Sequence, residues 1–490
     1  MCYMRMCDPI RIKGWWFLPE SANERVPGVM TWSQVDGVDL ELIGGIHANA
    51  KQGVEDSRTG DDLIGRDFGA VTIFGETDAG RPVSLWNTER HKYTGDALGN
   101  AREEFWHGPW ACIGAHIPSV DAAELHDPVV ALDNLYYLTD DGRFCAPPWA
   151  TIVGVDHPQE LQADGTYLWP YVLPVVGGLK ANIAVGATSV ATYRVQTHAT
   201  RPWISPATEA MPDLKLDFMT ERRRSGPSIR LSVGAHVRME HSAAAWSAQD
   251  MLDAMNPLSA LMRLATFADN GVEFLSARTG DEKQVSLLCQ LGHESQPEKT
   301  VEAAGLVFDF SDVDLASFMS SWDKLTNGPQ ATYAWNVVTG MISHSPKLVE
   351  EGVSQVLAGA EGFHTWCLDQ GQDVLLRDRL VSLHSQLDQE VSTVLGLDVD
   401  RWVDWAVWAR NHVDHGGAKK HRDHGDILRL KAISDTVRLV TYLVALGELS
   451  VPAERVVTAL REHPRLQILA GRCQDMEDLP AHETLQTDHT

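Results

Sequence analysis

Between Trp408 and His424 the chain reads WARNHVDHGGAKKHRDH, a run with four histidines, an Arg-Asn pair and a cluster of lysine and arginine. Arg410, Asn411 and His415 are residue types that can cleave a phosphodiester without a metal. A histidine with an ordinary pKa near ~6.5 can take a proton from a ribose 2′-hydroxyl or give one to the leaving oxygen. An arginine that never loses its charge stabilises the negative charge developing on phosphorus. Asparagine can orient the histidine or donate to a phosphate oxygen. DNA lacks the attacking hydroxyl, so this chemistry selects RNA. Lys419, Lys420 and Arg422 supply a local basic patch for its backbone.

Spacing constrains the site. Asn411 and His415 are four apart and share a helix face if the helix continues that far. Arg410 and His415 are five apart, which at ~100° per residue sets them roughly 140° from one another on a regular helix. They converge only where the helix end distorts or where a second copy of the chain supplies the partner, which makes a site across a two-fold axis attractive. Plainer roles exist for the same residues. Arg410 and Asp414 have the spacing of a surface ion pair, and His415 before Gly416-Gly417 suits a cation at a helix C-terminus. His412 with His415, and His421 with His424, have HxxH spacing, yet no HExxH or paired carboxylate completes a metal site. No metal and no organic cofactor is therefore expected. Glu361, in AGAEGFH, is a candidate partner for Arg410, with a surface or capping role as the alternative.

The elements that must position these residues divide into two kinds. Up to about residue 240, short alternating runs such as VDLELIGGI and GAVTIFGETDAGRPVSLWN are punctuated by turn residues, which predicts antiparallel strands in a sandwich or open barrel. ETDAGRP is the hairpin candidate between two of them. SAQDMLDAMNPLSALMRLATFADN has helical spacing, and GVEFLSART and QVSLLCQL read as two further strands. Arg222 to Arg224, in TERRRSG, are expected in a strand-connecting loop. Trp15, Trp16, Trp32, Trp86, Trp106 and Trp110 are expected as core fillers rather than as a stacking surface for a sugar or base.

Beyond about residue 312 the apolar residues recur three and four apart, as in DVDLASFMSSWDKL, DVLLRDRLVSLHSQLDQEVSTVLG, DVDRWVDWAVWARNHVDH and VPAERVVTALREHPRLQILAGR, which predicts an all-helical bundle. The fold class is therefore α+β, with a β-rich domain over residues 1–325, a helical domain over 326–472 and a disordered tail over 473–490.

Composition sets outer limits. The chain has 490 residues and a formal net charge of −26, so most of its surface repels phosphates and any nucleic-acid site must be a local patch. Its seven cysteines form no CxxC pair or dense framework, which predicts a reducing compartment. The first twenty residues carry charges and a proline before any apolar run of signal-peptide length, and no segment reaches membrane-spanning length. A cytoplasmic protein without membrane contact is expected.

The RN-x3-H arrangement of Arg410, Asn411 and His415 in a helical C-terminal region resembles the signature of the HEPN superfamily, whose members are commonly metal-independent ribonucleases acting as dimers. VLAGAEGFHTWC, DRLVSL and the helix ending LVALGEL are similar in order and spacing to the ApeA-like HEPN family. The N-terminal half, from KGWWFLPE and VPGVMTWSQVDGVDLELIGG to PWISPA and MNPLSALMRLATFADN, resembles the ApeA N-terminal domain, so the resemblance covers most of the chain. It implies anti-phage defence by abortive infection. The HEPN bundle would be the RNase effector, with Arg410 and His415 as catalytic pair and Asn411 beside them, and the N-terminal domain a sensor or regulator of a phage-derived trigger. The alternatives are a catalytically silent HEPN bundle used for binding or dimerisation, and a metal-dependent hydrolase built on the His412–His424 cluster.

Overall fold

The computed structural model describes residues 10–46, 70–95, 101–135, 149–152, 160–161, 167–168, 172–175, 178–185, 188–196, 204–205, 213–225, 228–240, 245–291, 305–309, 312–313, 315–343, 348–369, 371, 373–414 and 424–476. Alternation of apolar and polar residues builds the first unit. Strands β1 (Ile10–Phe17), β2 (Val26–Ser33), β3 (Gly37–Ile43), β4 (Val71–Thr77), β5 (Pro82–Gly95) and β6 (Ala101–Gly108) pair antiparallel in the order β5-β4-β1-β2-β3-β6. The second half of β5 then pairs with β6, Glu89 opposite His107, and this closes the ring into a barrel. The ETDAGRP hairpin forms as expected: Thr77 N–H donates to Arg81 O at 2.9 Å, and Gly80 takes φ +73°, open to glycine without strain.

The barrel is filled from alternate positions. Trp16, Met30, Trp32, Leu40, Leu42, Ile73 and Trp106 are all buried. Trp16 fits because its neighbours across the strands are glycines: a Cβ on Gly75 would lie 2.5 Å from Trp16 Cζ3, and one on Gly28 would lie 2.9 Å from Trp16 Cδ1. Of the six tryptophans expected in the core, Trp86 and Trp110 are buried with Trp16, Trp32 and Trp106, while Trp15 is 50% exposed.

The sheet does not stop at the barrel. Past Pro109, the strand β7 (Trp110–Ile113) stays paired with β5 on one side and takes the strand Gln284–Cys289 on the other. From there the order runs through Val272–Thr279, β8 (Leu125–Leu132), Ser228–Glu240 and Asp213–Ser225. The result is a closed barrel with a sheet grown from its wall, the β-rich first part of the expected α+β fold. Arg222 to Arg224 are not in a loop. They lie within the strand Asp213–Ser225, with Arg223 opposite Arg230.

Helix α1 (Ala248–Thr266) follows this sheet. Ser247 starts it with a reciprocal cap, its hydroxyl accepting from Asp250 N–H at 3.0 Å while the Asp250 carboxylate accepts from Ser247 N–H at 2.9 Å. Its other end is closed by the rest of the chain. Past it come α2 (Leu315–Leu325), α3 (Pro329–Ser343), α4 (Val349–Gly362), α5 (Leu376–Ser385), α6 (Gln389–Leu395), α7 (Val399–Asp414), α8 (His424–Glu448), α9 (Ala453–Glu462) and α10 (Pro464–Asp475). The last carbonyls of a helix have no partner inside it. Leu264 O accepts from the Tyr442 hydroxyl of α8 at 2.6 Å, Ala265 O from Val307 N–H at 2.7 Å, Thr266 O from His463 Nε2 at 3.3 Å and Phe267 O from Arg465 Nη1 at 3.1 Å. Phe267 ends the helix in the left-handed region at φ 47°, unusual for a bulky residue. Its buried ring packs edge-on against Tyr442 and His463, which holds the strained turn.

The helical unit contains breaks that periodicity alone does not mark. The predicted run through residues 373–396 is two helices, because the Asp388 side chain accepts from Glu390 N–H at 2.8 Å and starts α6 anew. Pro464 cannot continue the hydrogen bonding of α9, so VPAERVVTALREHPRLQILAGR is two helices as well. Helix α3 was not singled out by its spacing. Helix α2 packs through Trp322 on Trp335 of α3, so helical packing starts at Leu315, as the apolar spacing beyond about residue 312 predicts. At the far end α10 passes residue 472 to reach Asp475, with Cys473 and Met476 buried.

Two substitutions test these constraints. Gly75→Ala forces a methyl into the Trp16 ring and is expected to cost about 1–3 kcal/mol, read as a lower urea midpoint. Tyr442→Phe leaves the buried Leu264 carbonyl short of a donor and is expected to cost about 1–3 kcal/mol. An unchanged midpoint in either variant would contradict the packing described.

Candidate functional site

Helix α7 buries Trp402, Val403, Trp405, Ala406 and Ala409, and this stripe decides where the polar residues go. Arg410 follows Ala409 at the edge of the buried face, and Asn411 is exposed. Arg410 lies just before the last turn. Its Nη1 donates to Glu361 Oε1 of α4; the two side chains are 42% and 25% exposed.

Glu361 is itself held by its backbone. The chain leaves α4 through a single π turn, Phe363–Cys367, marked by Leu368 N–H donating to Phe363 O at 3.1 Å. Such wide turns recur at functional sites because they displace one backbone group from the regular ladder. Arg379 of α5 enters this turn. Its Nη1 donates to Glu361 O at 3.2 Å and to the Thr365 hydroxyl, and its Nε donates to Val374 O at 2.7 Å. Arg377, two residues earlier, reaches the other way and pairs with Asp404 and Asp400 of α7. Helix α5 thus ties the end of α4, through Arg379, to α7, through Arg377.

An aromatic ladder runs down α7 toward the same end. The Arg429 guanidinium lies 5.6 Å from the Trp405 ring centroid, Trp405 meets Trp408 edge-on at 5.1 Å, and Trp408 stacks on His412 at 4.9 Å. His412 stacks on Trp408, and its Nε2 is buried with no hydrogen-bond partner among the described residues. His364, in the π turn, is buried, and neither ring nitrogen has a hydrogen-bond partner among the described residues. Burial pushes its pKa below the ordinary value of 6.5, and the nearby Arg379 charge pushes the same way. Burial also lowers the pKa of His384.

Of the residues expected at the site, Arg410 and Asn411 are placed at the end of α7, and Glu361 is brought against Arg410. His415, Lys419, Lys420, His421 and Arg422 lie outside the described residues, as do the side chains of Asp414 and His424. Among the described residues, no group of three or more His, Cys, Asp or Glu is arranged to hold a metal ion. Arg379, Thr365 and His364 were not found from the sequence. Arg379 bonds to groups 14 and 18 residues away across a helix break, and no local spacing signals such a contact.

A histidine with a lowered pKa is buried neutral, so the unfolded chain binds its proton more readily than the folded one. The stability involved is fully present above the ordinary pKa of 6.5 and is lost as pH falls from there toward the folded value. Wild-type protein is therefore expected to lose more unfolding free energy between about pH 7.5 and about pH 5.5 than His364→Phe does, measured by urea titration at each pH. Equal losses would show that His364 does not titrate with folding.

Among the described residues, no helix is long and apolar enough to cross a membrane. No curated protein and no solved structure matches the chain. Residues 11–140, which take in nearly all of β1 and continue past β8, match the family model of the ApeA N-terminal domain 1.

Proposed function

We propose that the protein is a metal-independent endoribonuclease of the HEPN type, acting in anti-phage defence in the cytoplasm, with the ApeA-like N-terminal region regulating a C-terminal helical effector. The observation that carries this reading is Arg410 and Asn411 at the end of a helix, with Arg410 paired to a carboxylate from a neighbouring helix and His415 following in the sequence. The match of residues 11–140 to the ApeA N-terminal domain supports the defence context.

In this reaction the ribose 2′-oxygen attacks phosphorus and gives its proton to a base, the P–O5′ bond breaks, and the departing O5′ receives a proton. The products are a 2′,3′-cyclic phosphate and a 5′-hydroxyl. His415 acts as the general acid or base, Arg410 stabilises the charge on the non-bridging oxygens, and Asn411 positions one of them. Lys419, Lys420 and Arg422 hold the RNA backbone in an otherwise acidic chain. A homodimer supplies whatever one chain cannot bring together, and a phage-derived trigger acts on the N-terminal region.

RNA cleavage by the purified full chain in EDTA is the test. His415→Ala is expected to lower the rate by about 10²–10⁴-fold and Arg410→Ala by about 10²–10³-fold, with cyclic phosphate ends from the wild type. Cleavage abolished by EDTA would overturn the mechanism in favour of a metal site in the histidine cluster. RNA retained but never cut, including when the protein is expressed with phage genes, would favour a silent binding bundle.

A further inference from the structure

We infer that Glu361 is a positioning residue for Arg410, and that Arg379 sets Glu361 through the π turn. This rests on the ribonuclease reading for its chemical consequence, but the positioning is a property of the chain itself. An arginine at a helix end, 42% exposed, has a long flexible stem, and holding its head in one place requires a partner that is itself fixed. Glu361 is such a partner. It belongs to α4, which packs against α3, α5, α7 and α8, and its side chain is 25% exposed. Its own carbonyl is held by Arg379 at 3.2 Å, and Arg379 is clamped in turn by Thr365 and by Val374 O at 2.7 Å.

The order of contacts therefore runs Arg379, π turn, Glu361, Arg410. Each link joins a different element, so the guanidinium is located relative to the bundle and not merely to its own helix. A guanidinium has five N–H donors, and one carboxylate takes at most two of them. Exposed ion pairs usually contribute little to stability. What Glu361 contributes is geometry, and geometry enters the rate: misplacement by about 1 Å can cost about 100-fold.

Two readouts on the full chain test this independently. The first needs no activity. With nitrogen-15 arginine labelling, and Arg410→Lys to assign the signal, the Arg410 Nε–H group is expected to be as ordered as the backbone in wild type and mobile in Glu361→Gln. An Arg410 signal already mobile in wild type, or unchanged in the variant, would overturn the inference. The second is kinetic. Glu361→Gln is expected to lower kcat for RNA cleavage by about 10- to 100-fold, with KM changed by no more than about two-fold and the circular dichroism melt unshifted. An unchanged kcat against an active wild type would overturn the inference, and so would a loss tracking a lowered melting temperature. Wild type that cuts no RNA removes the ribonuclease reading instead, and the labelling experiment then decides the positioning alone.

Discussion

Four successive carbonyls at the end of α1, from Leu264 to Phe267, hold the two halves of this molecule together. A helix terminus buried without partners is expensive, since each orphaned group forfeits its hydrogen bond to water. Here every one of those acceptors meets a donor from the 307–465 region, and two of the donors come from His463 and Arg465. His463 illustrates how closely the junction is specified. Its Nδ1 accepts from Leu466 N–H at 3.4 Å, so the proton sits on Nε2 and goes to Thr266 O. Helix α1 begins against the sheet, where Ala248 N–H donates to Val120 O at 3.0 Å, and ends inside the helical bundle. It is the rigid body common to both units, and α8, which supplies Tyr442, starts immediately after the basic stretch.

The acidic character of the chain frames the candidate site. With a net charge of −26, the chain carries more carboxylates than its basic side chains can pair with. In the bundle Arg377 goes to Asp400 and Asp404, Arg379 to backbone oxygens and Thr365, and Arg410 to Glu361. The apolar stripe of α7 is buried in the bundle, and the ladder from Trp405 to His412 runs along the helix toward the Arg410 end.

Much of this was legible in the sequence where the signal is local. Period-two alternation located the β4–β5 hairpin and the strands Val272–Thr279 and Gln284–Cys289, and helical spacing located α1, α4, α7 and α8. Glu361 could be named as a candidate partner for Arg410, with a surface or capping role as the alternative, and the two side chains meet. What escaped depends on contacts between distant residues. Barrel closure rests on β5 changing partner halfway along, which no alternation pattern records. The break at Asp388 is a single capping bond inside an unbroken apolar period. The grip of Arg379 on the π turn, and the basic run Arg222 to Arg224 inside a long strand, likewise look the same in sequence as ordinary surface charge.

The partners of β8 carry a consequence for how the chain is made. Val129 and Val130 of β8 pair with Arg238 and Val237 on one side, and Leu125 to Leu132 pair with Val272 to Thr279 on the other. The outer edge of β7 waits for Gln284–Cys289. On a ribosome, therefore, the barrel strands emerge first, while β8 stays bare on its two sides until Ser228–Glu240 and Val272–Thr279 have been made and the outer edge of β7 until Gln284–Cys289 has. At ordinary elongation rates that interval lasts on the order of ten seconds. An uncovered strand edge is a template for pairing with another chain, and the segment matched by the ApeA model, although it closes its own barrel, has in β8 a strand whose partners are encoded about a hundred residues and more further on.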